Sequence, residues 1–107
     1  MKTIIKTPNF SAKQELEEFI HQKTSKLEEM NQNILEINVI LLLGDTKSIK
    51  NKYCEIKVTI PGKELFVKKS SASFEESAVK SIDTIRKMFR RDKVSLIRQR
   101  KQKIQIT

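Results

Sequence analysis

The sequence predicts an α+β fold in the order β-α-β-β-β-α, with a four-stranded sheet and two helices packed on one face of it. Three observations lead there. Apolar residues return at helical spacing in two stretches, Leu16, Phe19, Ile20, Leu27 and Met30, then Phe74, Ala78, Ile82, Ile85 and Phe89. Between them lie three strand-like runs, Ile34 to Leu43, Tyr53 to Ile60 and Lys63 to Lys69, and the last two are separated only by Pro61-Gly62. A chain of 107 residues is long enough to bury one core and is expected to be one domain.

Thr3 to Thr7 is a short β-branched stretch that Pro8-Asn9 should end, giving the first strand. Ser11 followed by Gln14 has the spacing of a capping box and predicts the start of the first helix, which should run to Asn31. In the next strand Leu35, Ile37, Val39, Leu41 and Leu43 should share one face, and its apolar character predicts a central position. After a polar, lysine-bearing loop, Cys54, Ile56, Val58 and Ile60 should point inward while Tyr53, Glu55, Lys57 and Thr59 point outward. Pro61 presets the first dihedral of a type II turn and Gly62 accepts the positive one, so Lys63 to Lys69 should return antiparallel. Ser73 with Glu76 repeats the capping signal before the second helix. A strand, crossover helix and strand in one sheet should be parallel, and both apolar helix faces should cover the same side.

Lysines interrupt the N-terminal residues at once, unlike a secretory signal, and the apolar run Ile34 to Leu43 is far shorter than the roughly 20 residues of a membrane span. Cys54 is the single cysteine and His21 the single histidine, so neither a disulfide within the chain nor a four-ligand zinc site of the usual kind is expected. A reducing cytoplasm fits best. The net charge of +9 is local: residues 1 to 79 carry 12 Lys/Arg against 11 Asp/Glu, whereas residues 80 to 107 carry 10 against 2. Such a polycationic end points to a polyanionic partner.

Catalysis finds no support. With two glycines there is no glycine-rich phosphate loop, no nucleophile elbow is present, and His21 and Cys54 lie on different elements. His21 reads as an ordinary surface histidine and Cys54 as an inert core thiol. No metal, cofactor or small-molecule substrate is expected. The second helix carries the strongest signal: at about 100° per residue, Lys80, Lys87 and Arg91 fall in one stripe, and Arg86, Arg90 and Lys93 in a companion stripe. Like charges at this spacing destabilise a free helix, and a polyanion would remove the repulsion, so nucleic acid is the expected partner. On the first helix Lys23 lies angularly within the apolar stripe, with Lys26 at its edge, so the Lys23 stem should run along buried surface.

Phe19-Ile20-His21-Gln22-Lys23-Thr24-Ser25-Lys26-Leu27-Glu28, the hairpin sequence from Glu55 to Lys68, and Ser73-Phe74-Glu75-Glu76 follow one another in a familiar order and spacing. From Lys2 to about Lys93 the chain resembles the short ribosome hibernation promoting factors, also called ribosome-associated translation inhibitors. It departs from them where their Arg-Gln-Leu, near the end of the second helix, is replaced by Lys87-Met88-Phe89. The resemblance implies a double-stranded-RNA-binding-like domain that binds the small ribosomal subunit in the mRNA/tRNA channel and inhibits translation while preserving idle ribosomes.

Carried over by position, the resemblance implies that Lys23, Lys26, Lys87, Arg91 and Lys93 face ribosomal RNA; Lys80, Arg86 and Arg90 rest on the charge argument alone. The expected division is a ribosome-binding domain at residues 1–93 and a basic, mobile tail at 94–107. No second, dimerisation domain is expected, and the protein is expected to be monomeric off the ribosome and unable to pair two ribosomes by itself. The main alternative is a general RNA or DNA chaperone that uses the same basic helix without a unique site, and an adaptor for acidic proteins is a third reading.

Overall fold

The computed structural model describes residues 2–106, and the side chains of residues 2–91. The elements are β1 (Lys2–Lys6), α1 (Gln14–Met30), β2 (Glu36–Leu43), β3 (Lys52–Ile60), β4 (Lys63–Ser71) and α2 (Phe74–Ile106), in the order expected. The strands lie side by side as β1-β2-β3-β4. β1 runs parallel to β2, while β2 with β3 and β3 with β4 are antiparallel. β2 and β3 are therefore central, and the lysine-bearing β1 and β4 are the edges.

Alternation along the strands divides the sheet into two unlike faces. Ile37, Val39 and Leu41 of β2, Cys54, Ile56 and Val58 of β3, and Leu65 and Val67 of β4 are buried in one core with Leu16, Ile20 and Leu27 of α1 and Ala78, Ile82, Ile85 and Phe89 of α2. Both helices cover this one face, and the other is left uncovered. α1 and α2 are tied together at their starts, where the ring of Phe10, just before α1, stacks on Phe74 at 4.5 Å between centroids. Asn9 prolongs the edge pairing beyond β1 with its side chain, donating to the Leu43 carbonyl at 2.8 Å and accepting from the Leu43 N–H at 3.0 Å.

α2 lies close over β3 because two of its buried residues are serines. The Ser77 hydroxyl donates to the Lys52 carbonyl at 2.6 Å and meets the Ser71 hydroxyl at 2.8 Å, and the Ser81 hydroxyl donates to the Cys54 carbonyl at 3.3 Å. Small hydroxyl side chains allow close approach and satisfy their own polarity against the strand. Cys54 is the core residue expected of it: burial pushes its thiol up to about 12, an effect opposed by a hydrogen bond with Ser81 and reinforced by the charge of Glu55. A thiol held protonated in this way is a poor nucleophile.

The turn behaves as its chemistry demands, with Gly62 at φ 75° and Ile60 paired with Lys63 across it. At Gly44 a Cβ would lie 2.6 Å from the Tyr53 ring, so a larger residue there would displace that ring.

Two expectations fail locally. The alternation assigned to Ile34 to Leu43 begins only at Glu36: Ile34 is buried and Leu35 is 57% exposed, the reverse of the reading above. Residue pairing with β3 starts at Glu36 with Thr59, and Leu35 is tied to β3 through its N–H, which donates to the Thr59 carbonyl at 2.8 Å, while Ile34 just before it enters the core. The capping box at Ser11 also fails, because α1 is capped by the extended backbone of Lys13 with no side-chain bond. Glu15 and Glu17 in its first turn supply the favourable charge at that end instead. At α2 the Ser73 hydroxyl does accept from the Glu76 N–H at 3.1 Å. Ser73→Ala is accordingly expected to lower unfolding stability by about 1 kcal/mol and Ser11→Ala by only a few tenths, as urea titrations can check. α2 runs unbroken across the boundary expected at residue 93 as far as Ile106, and the side chains of the expected tail, 94–107, lie outside those described.

Candidate nucleic-acid interface

The cations of α2 occupy the arc of the helix left over once Ala78, Ile82, Ile85 and Phe89 face the sheet and Ser77 and Ser81 face β3. They are not equivalent. Lys80 is exposed but its ammonium lies 3.2 Å from the Glu76 carboxylate, one turn back. Arg86 is half-buried, reaches Asp83 at 3.7 Å, and keeps a buried Nε without a hydrogen-bond partner among the described residues. Lys87, Arg90 and Arg91 are exposed and form no ion pair with another described residue. Among the described side chains each stripe has one member already engaged by an acid on its own helix, Lys80 in one and Arg86 in the other. Lys93 lies outside the described side chains.

The first helix adds Lys23 and Lys26. Lys23 is half-buried, as its angular position requires, and its ammonium sits 5.4 Å from the centroid of the Phe19 ring. That contact holds the charge at the edge of the core, and the i,i+4 spacing of Phe19 and Lys23 is the signal in the sequence that could have shown it. Lys26 is exposed. Thr24, between them, is buried, and its hydroxyl donates to the His21 carbonyl at 3.1 Å, so a polar residue fills the core position of that turn. His21 is exposed, as expected of a surface histidine. The rest of the exposed surface of α1 is acidic, with Glu15, Glu17, Glu18, Glu28 and Glu29, which confines any polyanion on this helix to the neighbourhood of Lys23 and Lys26.

Fixed cations on a packed helix attract phosphates without chemistry, through the release of condensed counterions. No cluster of three or more His, Cys, Asp or Glu that could hold a metal ion is found among the described residues. No helix among them is long and apolar enough to cross a membrane.

No curated protein matches the chain. A ribosomal subunit interface protein from Coxiella burnetii shares its fold with a TM-score of 0.77 at 16% identity, over 88% of this chain and 99% of that one. The N-terminal domain of Protein Y from Thermus thermophilus does so with a TM-score of 0.69 at 20% identity, over 84% and 93%. The family model described as Sigma 54 modulation protein / S30EA ribosomal protein matches residues 3–96. These residues include Lys23, Lys26, the α2 cations from Lys80 to Lys93 and all of the sheet but Lys2, and agree with the resemblance carried by the first helix and the hairpin: the chain belongs to the Sigma 54 modulation protein / S30EA ribosomal protein family, a family of ribosome-associated proteins.

Proposed function

We propose that this protein docks on the small ribosomal subunit in the cytoplasm, in the channel that mRNA and tRNA use, and so keeps idle ribosomes from translating. It acts by occupancy and turns over no substrate. The observation that carries the reading is the set Lys87, Arg90 and Arg91, exposed and unpaired among the described residues on adjacent turns of a helix whose other face is locked into the core. A rigid helix presents those charges at fixed spacing, which suits a structured RNA surface better than a flexible polycation would. Lys23 and Lys26 add to the same RNA contact from α1. Lys80 and Arg86 contribute after leaving Glu76 and Asp83, exposed pairs that are worth little and are readily exchanged for phosphate.

The test is competition. Small subunits loaded beforehand with mRNA and initiator tRNA are expected to lose nearly all binding of the protein, as measured by co-sedimentation, and the protein is expected to block initiation in an extract. Unchanged affinity for loaded subunits would place the site elsewhere. Binding titrated away by excess unrelated RNA would favour a general RNA chaperone.

A further inference from the structure

On the sheet face turned away from the helices, one residue from each of the four strands lines up in register in each row. One row across the sheet is Lys6, Ile40, Glu55 and Lys68, and the next is Ile4, Asn38, Lys57 and Phe66. Between these rows lies a depression of about 240 Å³ lined by Lys6, Asn38, Ile40, Glu55, Lys57 and Phe66. Phe66 is 56% exposed, an unusual position for a phenylalanine on an otherwise well-packed domain, and no helix covers it.

We propose that this outer sheet face binds a single-stranded segment of RNA, with one unpaired base stacked on Phe66 and its backbone held by Lys6 and Lys57. The inference goes beyond docking through the helices and stands without it, because the two surfaces lie on opposite sides of the sheet. Each feature matches the chemistry of an unpaired nucleotide. An exposed aromatic ring on a sheet offers a stacking surface that a base within a duplex cannot use, since its faces are already occupied. Lys6 and Lys57 stand on either side of Asn38 and Ile40 and make no ion pair with another described residue, so their charges are available to phosphates. The Asn38 side chain is steadied by donating to Glu36 at 2.8 Å, and its carbonyl oxygen can accept from a base edge. Glu55, 3.8 Å from Lys68, supplies a second acceptor whose charge that lysine balances. Lys68 also lies 5.2 Å from the Tyr53 ring centroid, which fixes it at the margin of the site.

Fluorescence anisotropy with a labelled single-stranded RNA of roughly 12 nucleotides, and with a duplex of the same length, tests this on the whole protein. Phe66→Ala is expected to weaken single-strand binding by about 5- to 150-fold, the range for losing one base stack, while leaving duplex binding within about twofold. Phe66→Tyr keeps the ring and is expected to restore affinity for the single strand. Because Phe66 is exposed, thermal unfolding of both variants should match the parent, and amide resonances of Asn38, Lys57 and Phe66 should shift on adding the single strand. Failure of the parent to bind the single strand, an unaltered affinity in Phe66→Ala, or equal losses for strand and duplex overturns the proposal and would leave this face to a protein partner. Ribosome binding by the Lys87, Arg90 and Arg91 variants is a separate measurement, so a failure there falls on the helix site alone.

Discussion

Replacing Lys87, Arg90 and Arg91 together by Gln is expected to make the dependence of log ribosome affinity on log salt shallower by about 2 to 3, at about 0.7 to 0.9 for each phosphate no longer neutralised. Affinities of the two proteins converge near 1 M salt, so at 0.15 M this difference amounts to a loss on the order of 100-fold. The fold should survive, because all three side chains are exposed and Gln is a good helix former. Thermal unfolding is expected to change by less than about 0.5 kcal/mol. Lys13, Lys47 and Lys50, exposed on the α1 cap and on the loop after β2, form the matched control. Their replacement by Gln removes equal charge from outside the α2 face. Equal losses of affinity from both triples would mean that bulk charge does the binding, and the proposed site would be wrong.

Ile56→Ala is expected to cost about 2–5 kcal/mol of unfolding free energy. Ile56 is fully buried at the middle of central strand β3, opposite Val39 on one side and Val67 on the other, so none of its neighbours can collapse into the gap without disturbing the ladder. Against a total stability of about 5–15 kcal/mol for a domain this is a large share, and at about 4–8 °C per kcal/mol the midpoint should fall by roughly 10 °C or more. Lys57→Ala, one residue on with its side chain on the outer face, should cost less than about 1 kcal/mol. Urea titrations with an unchanged slope would locate both effects in the folded state. A loss below about 1 kcal/mol at Ile56 would contradict the single shared core.

Local chemistry was legible wherever a residue's neighbours in sequence are also its neighbours in space. Pro61-Gly62 folds into the turn its dihedrals prescribe, and Ser73 caps α2 because its partner Glu76 lies three residues on. Ser11 offered the same pattern and failed, since the first turn of α1 starts later, after Phe10 has been drawn onto Phe74 from the far end of the chain. The resemblance to hibernation factors likewise rested on short segments in fixed order, and the family match over residues 3–96 agrees with it.

The sequence by itself determined the element order, the core faces of both helices and the basic character of α2, because hydrophobic period and charge are properties of single elements. The folded structure decided which cations stand free. Glu76 holds Lys80 and Asp83 holds Arg86, i,i+4 and i,i+3 pairs that the spacing permits and the formed helix makes, so the set to test is Lys87, Arg90 and Arg91. It also decided that Ile34 and not Leu35 enters the core, since the inward face is defined by the β2–β3 register, which begins two residues later. Above all it brought Lys6, Asn38, Lys57 and Phe66 together from four strands. A surface assembled across strands has no period along the chain, and only the pairing of the sheet creates it.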